Sequence, residues 1–346
     1  MIYWPVMRRR PLLCATATAA IAATVGSFGL CAGGALASTS HRARHAASPA
    51  AVTASAKLYL YDAFLVEHRT VDVPGRAISV SGYVSRYVPG QRVTLTASLG
   101  GRRVANETLR VRAAHGARSG RFSGSVTAPR AGILHLTVVH RRNRRMHFFT
   151  AGRGVVVVPT SSSSSLFTAL VQQRLVARHL YLPLSGKWDL QTQLAIEAYH
   201  RLLGRGTSPA LDPATLTALL DGQGSFTVRY PHNGRHAEGD LSDELLALVD
   251  GSKVQEIYPI SSGKPSTPTI LGNYRVYERT PGYLPDGMYY SDFFIRGYAI
   301  HGYDPAPNYP ASHGCMRLAI SDAISAFDWL AIGDGVDVYG VPNESV

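Results

Sequence analysis

The sequence predicts a multidomain, mainly β protein with a small helical module in its middle. Three observations carry this reading. Over residues 57–158 apolar residues alternate with polar ones, as at Ile78/Val80, Val93/Leu95/Ala97/Leu99 and Leu136/Val138, which is the period of half-buried strands. Between 166 and 222 the apolar spacing becomes helical. From 223 onward Gly, Pro and Tyr are frequent and short β-like runs return, with one helical pattern near the end. A length of 346 residues is enough for two or three domains.

The first residues read as an export signal. Arg8-Arg9-Arg10 precede a run of small and apolar residues from Pro11 to Gly34, and Ala35-Leu36-Ala37 satisfies the A-x-A cleavage rule. Residues 1–37 are expected to be a signal peptide cleaved after Ala37; left uncleaved, they would anchor the protein. Arg9-Arg10 are also compatible with a twin-arginine signal, so the route of export stays open. Residues 38–56, small, polar and basic, are expected to be a flexible tether.

The charge balance is +12, and losing residues 1–37 lowers it to +9, because three arginines and no acid are removed. A basic surface calls for an anionic partner. Outside the membrane nucleic acid is excluded as that partner, whereas a cell wall bearing carboxylates and phosphates fits. The cysteines sharpen the picture. Cys14 and Cys31 lie in the signal, so Cys315 is the one thiol of the mature chain and no internal disulfide can form. A lone exported thiol is exposed to oxidation and is either a nucleophile or a small buried hydrophobe.

The alternating segment 57–158 contains about seven strand-like runs and is expected to form an immunoglobulin-like sandwich. The run from His140 to Arg145 reads as a solvated loop, with binding of an anionic wall polymer as the alternative. Residues 159–165 form a Ser-rich linker. A first helix follows from Leu166, Leu170, Val171, Leu175 and Val176, and a second from Leu190, Leu194, Ala198, Tyr199 and Leu202. Asp212-Pro213 supplies an N-cap and an N1 proline for a third. Leu180-Tyr181-Leu182, Gly186-Lys187-Trp188-Asp189, Thr192 and Ala195 to Tyr199 make residues 166–222 resemble the three-helix peptidoglycan-binding module (type 1), although His200 stands where that family has Gln. In residues 223–341 Ser321-Asp322 is expected to cap a helix holding Ile324, Phe327 and Leu330, and Val336 to Tyr339 to form a closing strand.

The chemistry concentrates in Ala299-Ile300-His301-Gly302-Tyr303 and Pro310 to Leu318, the latter reading Pro-Ala-Ser-His-Gly-Cys-Met-Arg-Leu. Two histidines and Arg317 lie within 14 residues of Cys315. A neighbouring cation favours the thiolate. Gly302 and Gly314 allow close backbone approach, and the Gly314-Cys315 amides are candidate oxyanion donors. Residues alone leave three readings: a structural loop, a metal site from His301, His313 and Cys315, or a nucleophile with its base. Zinc wants three or four converging ligands, and no second Cys or adjacent carboxylate supports it; no cofactor is expected.

The pattern H-G followed by S-H-G-C-x-R resembles the catalytic signature of the L,D-transpeptidase (YkuD-type) domain. A second block, Ser261-Ser262-Gly263-Lys264-Pro265-Ser266-Thr267-Pro268-Thr269 with Gly272-Asn273-Tyr274, is similar to that family's S-T-G-K stretch, with Ile270 in place of its second proline. The resemblance covers roughly 224–340. It implies that Cys315 is the nucleophile, His301 the proton acceptor and donor, and His313 an orienting group. It also implies that Gly302, Ser312 and Gly314 shape the pocket and oxyanion hole, and that Arg317 binds a carboxylate or braces the loop. The stretch Tyr277 to Phe294, with Tyr289, is expected to flank substrate as a lid or a packed surface loop. Which histidine carries the proton is not set by spacing. The implied reaction is acyl transfer on peptidoglycan stem peptides through a Cys thioester, giving 3→3 cross-links, in an extracytoplasmic bacterial setting. Water as acceptor would make a carboxypeptidase, and a protein amine would make an anchoring enzyme. A non-catalytic wall-binding protein is the alternative outside enzymes. Papain-like hydrolases place Cys before His, and sortases carry a Thr-Leu-x-Thr-Cys strand that is absent here. The resemblance also implies acylation of Cys315 by carbapenems.

Overall fold

Alternation in the first half of the chain places every second side chain on one face, and two such faces meet. The computed structural model describes residues 50–341 apart from 115 and 117. The signal peptide and most of the tether lie outside the described residues. All described residues belong to one compact unit.

The first ten strands are β1 (Ala56–Leu60), β2 (Phe64–Val66), β3 (Arg69–Asp72), β4 (Ala77–Val84), β5 (Arg92–Leu99), β6 (Arg102–Arg110), β7 (Arg112–Ala113), β8 (Gly120–Thr127), β9 (Gly132–His140) and β10 (Phe149–Val157). They form a four-stranded sheet, β1-β4-β8-β7, and a six-stranded sheet, β2-β3-β10-β9-β5-β6. Leu58, Ile78, Val80, Leu95, Leu134 and Leu136 fill the space between them. Ten strands occur where the sequence suggests about seven. One reason is the β2–β3 hairpin, whose turn residues Glu67 and His68 both have positive φ, 46° and 64°. That turn shape normally announces itself with Asn-Gly or Asp-Gly, and here it does not. Val52 bridges to Met146 and β1 starts at Ala56, so the sandwich reaches into the stretch read as tether.

Three helices follow: α1 (Ser165–Val176), α2 (Leu190–Leu202) and α3 (Pro213–Leu220). Each starts at a side-chain cap. Ser164 accepts from the Phe167 amide, Asp189 from Thr192, and Asp212 from Ala214 and Thr215. The Thr215 hydroxyl, 2.6 Å from Oδ2, and these amides hold the Asp212 carboxyl down at about 2. Leu170, Val171, Leu175, Ile196 and Tyr199 are buried, whereas Val176 and Leu190 are exposed at their helix ends. The helical module does not close a core of its own. It shares one with Val66 and Val71 of the sandwich and with Leu245, Ala247, Val249 and Ile257 of the last third.

That last third contains β11 (Arg235–Asp240), β12 (Leu245–Asp250), β13 (Lys253–Pro259), β14 (Gly272–Arg275), β15 (Glu278–Tyr283), β16 (Tyr289–Ile295), β17 (Tyr298–Gly302), β18 (Met316–Leu318), α4 (Ile320–Trp329) and β19 (Gly335–Tyr339). Two sheets result, β13-β12-β11-β19-β14 and β15-β16-β17-β18. Ala237, Leu246, Leu248, Ile300, Met316, Leu318 and Val336 pack between them. The helical module adds to the first sheet at its β13 edge. Leu180 bridges to Ile257, with the Tyr181 amide donating to the Ile257 carbonyl at 3.0 Å and the Ile257 amide to His179 at 2.8 Å.

The cap assigned to Ser321-Asp322 is a correction. The helix begins at Ile320, after Ala319 and without a side-chain cap, so Ser321 and Asp322 lie inside its first turn. Asp322 is buried and accepts from Gln191 of α2 at 2.8 Å. Burial outweighs that bond and pushes its carboxyl up to about 6.

Candidate active site

β17 and β18 run parallel and side by side, with His301 in register with Arg317 and Ile300 with Met316. Side chains alternate across a strand. Ile300 and Met316 therefore point into the core, and His301 and Arg317 share the other face. Cys315, one position before β18 and two before Arg317, extends that face. The parallel pair thus collects three sequence-predicted residues that lie 14 and 16 positions apart in the chain.

His301 is buried, and its Nδ1 lies 2.8 Å from the carbonyl oxygen of Gly302. A carbonyl only accepts, so Nδ1 carries the proton and Nε2 is the free acceptor. Burial, aided by the Arg317 charge, lowers the imidazole to about 4. Its ring meets Tyr303 edge-on, 5.8 Å between centroids, and Arg317 stacks on the same Tyr303 at 4.0 Å. Cys315 is half-buried, with Sγ 3.8 Å from the Gly297 carbonyl. Burial pushes its thiol above the ordinary value, while a backbone hydrogen bond from Ala299 and the Arg317 charge pull the other way. The sequence expectation of a thiolate favoured by neighbouring cations is therefore corrected. Desolvation is the largest influence on both groups and favours the neutral thiol and the neutral imidazole.

The turn carrying Cys315 is built by Ser312. Its buried hydroxyl accepts from the Gly314 amide at 2.9 Å and donates to the Cys315 carbonyl at 2.7 Å. The Gly314 N–H is thereby committed to the loop, which differs from its expected place in an oxyanion hole. Gly314 has φ +119°, and a Cβ there would lie 1.7 Å from Tyr298 Cε1. Only glycine fits both constraints. Gly302 sits in register with Tyr289, and a Cβ on it would come within 2.7 Å of the Ala323 side chain. His313 is exposed, with Nε2 at 3.2 Å from Lys264 Nζ. It turns to solvent rather than sharing the buried position of His301.

The second sequence block is the cradle of this turn. Ser261 and Arg317 exchange both backbone hydrogen bonds, at 2.9 and 3.0 Å. The Ser262 carbonyl accepts from Ala311 and Ser312, and the Lys264 amide and Thr267 hydroxyl donate to the Ser312 carbonyl. A Cβ on Gly263 would lie 2.3 Å from the Thr267 carbonyl. Behind the cradle, the buried Glu244 carboxylate accepts from the Ser262 amide at 2.7 Å and its hydroxyl at 2.5 Å. Arg201 of α2 then donates to the carbonyls of Glu244, Ile260 and Asn308 and to the Glu197 carboxylate.

The stretch Tyr277 to Phe294, expected as a lid or a surface loop, is mostly the β15–β16 hairpin. Its turn closes with the Leu284 amide donating to Met288 at 2.8 Å. Tyr289 packs at a tilt against Tyr283, 4.4 Å between centroids, and meets Tyr290 edge-on. The hairpin tip lies against Tyr303, where a Cβ on Gly287 would touch the ring at 3.3 Å. Its Asp286 charge is felt by both His301 and Cys315. Sequence reasoning missed Asp286, Tyr298, Glu244 and Arg201. None belongs to a local motif, and only the two buried charges of α2, Glu197 and Arg201 four residues apart, gave a trace of a signal.

Residues 234–338 match the family model YkuD, the L,D-transpeptidase catalytic domain. Among solved structures, the chain is similar to an L,D-transpeptidase from Xylanimonas cellulosilytica, at 29% identity over 50% of this chain and 92% of that one, TM-score 0.45. It is similar to an L,D-transpeptidase from Stackebrandtia nassauensis at 20% identity, covering 52% and 93% of the two chains, TM-score 0.34. The catalytic domain of the E. faecium L,D-transpeptidase aligns at 26% identity over 31% and 98%, TM-score 0.28. No curated protein matches the sequence. All three TM-scores lie below 0.5, so the assignment rests on the sequence match of residues 234–338. Residues 234–338 are an L,D-transpeptidase catalytic domain of the YkuD family.

Proposed function

We propose that the protein cross-links peptidoglycan stem peptides, with Cys315 as nucleophile and His301 as its base. The observation that carries this reading is the shared face of Cys315 and His301, with His301 Nδ1 tied to the Gly302 carbonyl and Nε2 left to accept. As Sγ attacks the carbonyl of the third residue of a tetrapeptide stem, its proton passes to Nε2. The tetrahedral intermediate places its oxyanion at the Cys315 amide, the donor that Ser312 leaves free by holding Gly314. The imidazolium returns the proton to the terminal D-Ala amine, which leaves, and a thioester remains. The side-chain amine of a second stem then attacks, its proton goes to Nε2, and Sγ departs as the thiol, leaving a 3→3 cross-link. Arg317 holds a stem carboxylate or the loop, and the Tyr289 hairpin shields the thioester from water.

The deciding experiment incubates the full chain with a tetrapeptide stem containing diaminopimelate and weighs the products. Loss of D-Ala with a dimer, both abolished by Cys315→Ala, supports the transpeptidase. A Cys315-dependent tripeptide without dimer moves the reading to a carboxypeptidase. A product that survives Cys315→Ala removes Cys315 from the chemistry.

A further inference from the structure

The outer face of the four-stranded sheet carries an arrangement that the transpeptidase reaction does not use. Register aligns four residues in one row across the strands. Lys57 of β1 pairs with Tyr83 of β4, Tyr83 with Arg121 of β8, and Arg121 with Arg112 of β7. All four are exposed, while the alternating Leu58 and Phe122 are buried. Three inter-strand gaps make the row about 14 Å long. In the next row Tyr59 pairs with Ser81, and Ser81 with Ser123. Tyr59 and Tyr83 meet edge-on at 6.1 Å, so two aromatic rings stand on the sheet surface beside three cations. A cavity of about 640 Å³ continues from this face to β6; Arg110 and Tyr61 also line it, and Glu107 is the one acid among its lining residues.

A contacting pair of exposed tyrosines on a sheet face suits a sugar ring, and the serine hydroxyls beside them suit sugar hydroxyls. A row of cations with one acid at the margin suits a polymer carrying regularly spaced anions. We propose that this face binds a peptidoglycan strand, with sugars on Tyr59 and Tyr83 and stem carboxylates at Lys57, Arg112 and Arg121. The inference rests on the proposed function for the identity of the polymer. It gives the sandwich the task of holding the catalytic domain on its substrate.

The test is co-sedimentation of the full chain with purified sacculi stripped of phosphate-bearing polymers by acid. The parent protein is expected to be retained, and retention to fall as salt rises. The variant carrying Tyr83→Ser, Arg112→Ser and Arg121→Ser is expected to lose retention about tenfold, with an unchanged melting temperature and unchanged turnover of the soluble stem. Equal retention of parent and variant would overturn the proposal. So would a parent that binds sacculi only before stripping, because the ligand would then be the phosphate polymer. Arg112→Lys with Arg121→Lys should keep most of the binding; loss there as complete as in the triple variant would also count against a charge-reading surface. Failure of the transpeptidase reading shows separately, as absent soluble-stem turnover in parent and variant alike.

Discussion

Arg201 and Glu244 belong to different modules, yet an Arg201 Nη1 donates to the Glu244 carbonyl at 2.5 Å. The same guanidinium meets Glu197 at 2.7 Å, and both side chains are nearly closed to water. Glu244 in turn grips Ser262, whose carbonyl holds the Ser312 amide. Removing Arg201 strands a buried carboxylate, a change that costs about 3–5 kcal/mol. Arg201→Met is expected to lower the melting temperature by many degrees and to slow turnover of a soluble stem. Pairing it with Glu197→Leu should recover much of the stability, since the stranded charge goes too. Thermal melts of the three proteins check this; a melting temperature unmoved by Arg201→Met would refute it.

The acid limb of kcat/KM is expected near pH 4, where His301 takes up its proton, rather than near 6.5. The base works only when neutral, so the rate is full above that limb and falls below it. A limb at the ordinary histidine value would mean that Nε2 is more solvated than its burial indicates.

Stability carries the same signature. Between about 4 and 6.5 the unfolded chain holds a proton on His301 that the folded chain lacks. Folding therefore weakens as pH falls through that window and levels off below it. His301→Gln is expected to flatten this part of a melting-temperature profile. An unchanged slope in the variant would assign it to other groups.

Because burial raises the Cys315 thiol, alkylation by iodoacetamide is expected to be slow at pH 7 and still rising at pH 9. A low-pKa thiolate would instead give a rate already level at neutral pH. Rates followed by intact mass distinguish the two, and carbapenem adducts on the same residue should vanish in Cys315→Ala.

Gly314→Ala must move Tyr298 and hold alanine at φ +119°. The strain alone is about 1–3 kcal/mol. Activity is expected to fall at least a hundredfold while Ser312→Ala, which leaves the Gly314 amide without its acceptor, costs about 1–3 kcal/mol of stability. Equal activity of Gly314→Ala and the parent would show that the turn is not fixed.

Much of the site was legible because its parts are local. His301-Gly302 and Ser312 to Arg317 are short runs that carry the resemblance to a catalytic signature, and parallel pairing of β17 with β18 brings the two runs side by side. The three helices of the middle module were legible from the apolar spacing of the first two and from Asp212-Pro213 at the start of the third, since periodicity and caps act within a few residues. What stayed hidden depends on distant packing. The protonation states followed from burial, which no spacing encodes. Asp322 looked like a cap because acids near helix starts usually are, but the Gln191 amide from another module claimed it. The Glu67-His68 turn lacked glycine, so its hairpin left no mark.

The short segment from His179 to Tyr181 lies along β13, one of the two outermost strands of the β13-β12-β11-β19-β14 sheet. A bare outermost strand offers its free amides and carbonyls to any other chain that can extend beside it. A fragment beginning at 223 would uncover that row together with the apolar patch of Leu245, Ala247 and Ile257. Such a fragment is expected to associate edge to edge and come out of solution, which the chain with that edge covered is expected not to do.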